Sequence, residues 1–327
     1  MTAYIIRRLG LAVITFLLAS VLIFFIIQLP PGDFVDYVIG QMGDMASGGD
    51  MVEVMRQYYG LDRPIIVQYA VWVKGVITGD FGYSFLYRRP VIDLIQVEIF
   101  WTILITGISF ALAWLIGITI GVFSAVRKYT IGDHLFTFLG VAGLSIPPFF
   151  LAMIIIYFSM TSGYGVTGGL FSNEFVNAPW SFEKFANLLR HIWIPILAVT
   201  LGNVTEVMRI MRSGMIEVMV QPYITTAKAK GLKAIQIIIC HGVRTAINPL
   251  ISMAGLMMPK LLSGIVMTAI VLNLPVMGPT FIVALKSQDM YLAGAYLMLM
   301  VIFLIIGNFL ADIALAWSDP RIRLEKE

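Results

Sequence analysis

Between Glu98 and Arg127 the chain runs for 28 residues without a charged side chain. That is long enough for one tilted helical crossing of a bilayer. Comparable apolar runs occupy Leu9 to Leu29, Leu135 to about Met160, His191 to about Met211, Ala246 to Leu272 and Tyr291 to Ala311. The whole chain is 59% hydrophobic and 13% charged, where a soluble protein carries about a quarter charged residues. The expected fold is all-α and integral to a membrane, with six transmembrane helices and a small helical region outside the membrane after the first. Leu9–Leu29 is too long for a signal-peptide core and no A-x-A site follows it, so it reads as a retained first span.

Pro30 to about Glu98 is the longest polar interval. Asp50 with Glu53 fits a capping box opening a helix that ends at Gly60. Pro64 can open a second helix ending near Gly79. GDFGYSFLYRRPV is then turn-rich and basic at Arg88 and Arg89. Pro147 and Pro148 should kink the third span. NLPVMGPTFIVALKSQD, after the fifth span, turns back partly apolar and reads as re-entrant or interfacial. Asn203, Asn273 and Asn308 read as interhelix hydrogen bonders.

Six spans put both termini on one side. Taken as the inside, that side holds 13 of the 22 Lys and Arg and 7 of the 19 Asp and Glu. It is net positive at +6 against −3 for the rest, the positive-inside pattern. The expected topology is therefore N-in and C-in, with the Pro30–Glu98 region outside.

Several functions find no support. There is no G-x-x-x-x-G-K-[ST], so the chain has no phosphate-cradling loop of its own. His134, His191 and His241 are scattered, without metal-ligand spacing, and Cys240 is single. No H-E-x-x-H or G-x-S-x-G occurs. The net charge of +3 does not suggest nucleic acid. Transport is better supported than catalysis.

One polar stretch, Glu217 to Pro249, interrupts the apolar runs: EVMVQPYITTAKAKGLKAIQIIICHGVRTAINP. Pro222 suits the first turn of a helix and Gly231 the left-handed position just past its end. A short helix over Pro222–Lys230 is expected, followed by another from about Leu232. By its residues it is either an amphipathic helix lying on anionic lipid or a protein-docking knob. Within the fifth span, Lys260 follows Pro259. A charge there faces a transport path or pairs with a partner such as Glu206, which could instead pair with Arg209.

TTAKAKG followed by Asn248–Pro249 resembles the cytoplasmic loop of ABC-importer permeases, in the dipeptide/oligopeptide/nickel branch with its Y-x-x-T-A-x-A-K-G-L form. Here the matching residues are Tyr223, Thr226, Ala227, Ala229, Lys230, Gly231 and Leu232. RSGMIEV, PGD at 31–33, GLDRP, GDFGYS, RPV, Pro147, Gly255–Leu256, Gly264, Pro275, Gly278 and the terminal DPRIR fit the same ordered pattern. Four positions depart from it, one of them Ala269, where many relatives carry a glutamate near the outer end of span five. Thr225 stands at the loop's usual acidic start, Asn248 replaces the usual Leu, and the PGLG turn reads PVMG.

The resemblance implies a division of the chain. Residues 1–29 form a cytosolic N-terminus and first span, 30–98 the extracytoplasmic region, and 99–316 a five-helix core with a coupling loop at 213–246. Residues 317–327 form a cytosolic tail. It also implies a permease that shares its path with a second, related permease subunit. Two ATPase subunits would bind the ATP and Mg, this chain binding no cofactor itself, and an extracytoplasmic solute-binding protein would deliver the solute. Tyr223, Thr226, Ala227, Lys228, Ala229, Lys230, Gly231 and Leu232 would couple to an ATPase. Lys260 and Gly264 would line the path, and Arg88 and Arg89 would meet the binding protein. Oligopeptides are the expected cargo, with an oligosaccharide or nickel open. A stand-alone secondary transporter or channel is the alternative of another class; it would need an internal inverted repeat, and none is evident.

Overall fold

The computed structural model describes residues 2–42 and 49–318. It is helical almost throughout and divides into two compact units. The terminal DPRIR motif lies outside the described residues.

One unit comprises Thr2–Thr102 and Pro275–Ile305. α1 (Thr2–Gln28) stops short of Pro30 and Pro31, which disfavour helix at the residue before each. Asp33 opens α2 (Phe34–Met42) as an N-cap. Its carboxylate accepts from the backbone N–H of Val35 at 2.9 Å and of Asp36 at 3.0 Å. Arg56 of α3 (Gly49–Tyr59) then grips Asp33 at 2.9 Å and Asp36 at 2.7 Å. Pro64 precedes α4 (Ile65–Thr78), which Gly79 closes in the left-handed conformation. A minimal hairpin follows, β1 (Tyr83–Ser84) against β2 (Arg89–Pro90), antiparallel with Tyr83 opposite Pro90.

The rest of this unit is the start of α5 (Val91–Val126), α13 (Met277–Lys286) and most of α14 (Met290–Ser318). Val91, Ile95, Met277, Ala284, Leu292 and Tyr296 form its core. Glu98 joins three helices: Thr280 Oγ1 donates to it at 2.6 Å and Tyr296 OH at 2.5 Å. α4 and α14 meet closely at Gly294, where an added Cβ would lie 2.7 Å from Trp72 Nε1.

The other unit is Ile103–Leu274, which begins with the remainder of α5, together with the end of α14 from Ile306. It contains α6 (Ile131–Ser145), α7 (Pro148–Thr161), α8 (Phe182–Val218), α9 (Pro222–Ala229), α10 (Ala234–Gln236), α11 (Arg244–Ala246) and α12 (Asn248–Leu272). α10 and α11 are joined by a π-helical stretch, Ile237–Val243. α12 packs on α7 and α8, and α6 on α8.

Four stretches, Ile6–Gln28, Val91–Val126, Phe182–Val218 and Met290–Leu315, are helical, long and apolar enough to cross a membrane. Up to six spans result if each of two bent pairs is one span. The expected third span is not one helix. Ile146 and Pro147 are extended, and α7 restarts with Pro148 in its first turn, because each proline forces the residue before it out of the helical region. The apolar return after α12 is the short helix α13. Asn273, at φ 51°, is the left-handed cap that ends α12.

Candidate functional site

The polar stretch folds as a short helix and a bent second helix. Pro222 occupies the first turn of α9, where its missing N–H leaves no bond unmade. Gly231, at φ +72°, closes the other end. Leu232 N–H donates to Ala227 C=O at 3.4 Å and Gly231 N–H to Lys228 C=O at 3.0 Å. This pair of bonds is a Schellman closure, which satisfies carbonyls the helix would otherwise leave open. The second helix starts at Ala234, not Leu232, because Leu232 and the extended Lys233 are spent on the turn.

α9 has two faces with different work. Ile224 is fully buried and Ala227 is 7% exposed. Both belong to one core with Met211, Met215 and Val218 of α8, Ile237 of the π-helical stretch and Leu250 of α12. α9 is thus packed directly against the end of α8 and the start of α12. The other face carries Tyr223, Thr226, Lys228 and Ala229, and the turn after it Lys230, Gly231 and Leu232, all exposed. Of the residues expected to couple to an ATPase, Ala227 is the one whose side chain is buried. Ala227 faces the chain's own core, and only Ala229 and Gly231 are small residues open to the outside.

Beside this assembly lies a pair that the sequence did not announce. Arg212 of α8 donates through Nε and Nη2 to the two carboxylate oxygens of Asp133, each at 2.9 Å. Tyr129 N–H adds a third bond to Asp133 at 2.9 Å. Thr130 caps α6 by accepting from the Asp133 N–H. The guanidinium and these bonds hold the Asp133 carboxyl down at about 2. The only sequence signal was an acid at the first turn of α6 and an Arg at the end of an apolar run, 79 residues apart.

The other expected residues are dispersed. Gly264 is exposed on α12 with open space where a Cβ would stand. Lys260 lies on the same helix, but its side chain is outside the described residues. Arg88 and Arg89 are both exposed on the hairpin, Arg88 in the turn at φ 50° and Arg89 in β2 with its guanidinium 6.0 Å from the Tyr87 ring. Asp289 anchors that hairpin: Ser84 Oγ is 2.6 Å from its carboxylate and Leu86 N–H donates to it at 3.0 Å. Burial raises the Asp289 pKa above the ordinary carboxylate value.

Two family models match the chain. The binding-protein-dependent transport system inner membrane component covers residues 117–324, and the N-terminal part of such membrane components covers residues 1–106. The oligopeptide transport system permease protein AppB of Bacillus subtilis is 33% identical over 325 residues, covering 98% of this chain and 99% of that one. The dipeptide transport system permease protein DppB of Lactococcus lactis is 30% identical over 325 residues, covering 99% and 100%. The glutathione transport system permease protein GsiC of Escherichia coli is 29% identical over 324 residues, covering 99% of each chain. The chain belongs to the family of inner-membrane permeases of binding-protein-dependent ABC importers, in its peptide/nickel branch.

Proposed function

We propose that this permease forms half of the path of an ATP-driven importer for peptides, with both termini in the cytosol. A related permease supplies the other half, two ATPase subunits dock on the inner face with α9 seated in a cleft on one of them, and a binding protein delivers the solute to the outer face near Arg88 and Arg89. ATP and Mg belong to the ATPases. The observation that carries the reading is the two-faced α9. Its buried face, Ile224 and Ala227, shares a core with α8 and α12, while its exposed face offers Tyr223, Lys228 and Ala229. A closing ATPase pair that moves α9 therefore moves the ends of two long helices, one of them apolar enough to span a membrane. Peptides are favoured as cargo by the relatives, whose names specify oligopeptide, dipeptide and glutathione transport.

Ala229→Trp tests it. The residue is exposed, so the variant should insert and melt as the wild type does. ATP-dependent uptake of a labelled dipeptide into proteoliposomes should fall at least about tenfold, the size of change that one lost contact worth about 1.4 kcal/mol produces. Unchanged uptake with normal ATPase association would overturn the docking role.

A further inference from the structure

The hairpin at Tyr83–Pro90 and the end of α3 enclose a cavity of about 570 Å3, lined by Tyr58, Tyr59, Tyr83, Phe85 and Arg88. A smaller hollow of about 190 Å3 shares Tyr58 and Tyr59 and adds Arg63. The larger one is within the size of ordinary small-ligand sites, roughly 300–1,000 Å3. Its floor is fixed and its lip is open. Phe85 is 4% exposed and stacks at a tilt on Tyr59, with centroids 4.6 Å apart, while Tyr58 is 82% exposed.

Arg88 is presented by a held backbone. Its N–H donates to Ser84 C=O at 3.0 Å and its own carbonyl accepts from Tyr83 OH. The Asp289 carboxylate clamps the same turn through Ser84 and Leu86. Among the described residues lining the two hollows none is acidic, so no described carboxylate of the lining stands beside Arg88 in the larger or Arg63 in the smaller. A guanidinium fork matches a carboxylate through two parallel bonds. Tyrosine rings supply rigid apolar walls with a hydrogen-bonding rim, which suits a peptide backbone and its side chains. A neutral saccharide would want carboxylate or amide acceptors for its hydroxyls, and the larger hollow offers none.

We infer that this cavity binds a carboxylate-bearing peptide segment, with the carboxylate on Arg88 and the chain against Tyr58, Tyr59 and Tyr83. The inference deepens the importer reading and rests on it only for the source of the segment. That source is a free peptide entering the path, for which a cavity of this size has room.

The test uses the full chain in lipid nanodiscs with the subunits that co-purify, without ATP. The probes are rhodamine-labelled trialanine with a free C-terminal carboxylate and the same peptide as its amide, titrated by fluorescence polarisation. The free acid should bind at least about tenfold more tightly, the scale of one charge-assisted hydrogen bond. Arg88→Gln should erase the preference. Lys74→Gln, on an exposed position of α4 away from the cavity, should keep it. Tyr58→Ala should weaken acid and amide alike. Equal binding of acid and amide, no binding in the millimolar range, or displacement by maltotriose overturns the inference. Adding binding protein already loaded with unlabelled peptide and freed of excess checks the occupant: joint binding supports a free peptide, and displacement of the probe assigns the cavity to a protein segment and overturns the inference. Failure of this titration leaves ATP-dependent uptake intact, and failure of uptake leaves this titration intact, so the two readings fall separately.

Discussion

Arg212 holds Asp133 by two parallel bonds of 2.9 Å, and the Asp133 side chain is only 2% exposed. The pair ties the first turn of α6 to α8 six residues before α8 ends. A carboxyl held at about 2 against an ordinary 3.8 stabilises the fold by about 2 kcal/mol whenever it is ionised. The sign follows from the lowered value: the contribution is complete above the ordinary value and is lost as pH falls from roughly 4 to 2. Asp133→Asn should lower the melting temperature at pH 6, and the gap from the wild type should close at about pH 2. A gap of equal size at both pH values would show that the pair contributes through shape and not charge.

Ala227 and Ala229 are two residues apart on α9 and face opposite environments. Ala227→Leu should overpack the core around Met211 and Met215 and cost about 1–3 kcal/mol. Ala229→Leu should leave the melting temperature within about half a kcal/mol of wild type, as exposed substitutions usually do. Differential scanning fluorimetry of the two variants in the same detergent decides it. Equal destabilisation would mean that α9 does not pack as described.

Much of this helix was legible because backbone rules are local. Pro222 at the start, Gly231 past the end, and the Pro64–Gly79 frame of α4 follow from which φ angles proline and glycine favour. The inward turn of Ala227 was not legible. A small residue suits a crowded core and a docking cleft equally, and only the neighbours on α8 decide between them. Asp133 and Arg212 were readable as charges but not as partners, since 79 residues separate them. The Pro147–Pro148 pair announced a bend. That the bend becomes two separate helices depends on Ile146 as well as the prolines. The hairpin passed unseen because strands of two residues carry no alternation to read.

Gly231 sits at φ +72° with nothing within 4 Å of where a Cβ would stand. Space is therefore not the constraint; backbone conformation is. Gly231→Ala should cost about 1 kcal/mol, the left-handed penalty for an L-residue. Gly231→Val should cost more, since a β-branched side chain is a poorer fit still at positive φ. Hydrogen exchange at the Leu232 amide, which the closure bonds to Ala227, should quicken in both variants and more in the second. Equal exchange in all three proteins would show that the turn does not depend on glycine.

Asp289 is buried and its carboxylate accepts from Ser84, Leu86 and Leu292. Those donors are left unsatisfied in Asp289→Ala, at a cost of about 1–3 kcal/mol for each buried group exposed to that fate. The loss should be local first, because the bonds to Ser84 and Leu86 are what tether the turn that presents Arg88. Exchange at the Leu86 amide should rise while the amides of α8, in the other unit, stay protected. Burial lifts the Asp289 pKa, so ionisation costs stability as pH rises through the raised value. The contribution is fullest below the ordinary carboxylate value, the reverse of Asp133. Asp289→Asn, which keeps one acceptor oxygen and cannot ionise, should therefore compare best with the wild type at alkaline pH and worst in acid. An Asn variant whose deficit grows with pH would mean that the carboxylate is needed in its charged form, and that the hairpin is held by charge.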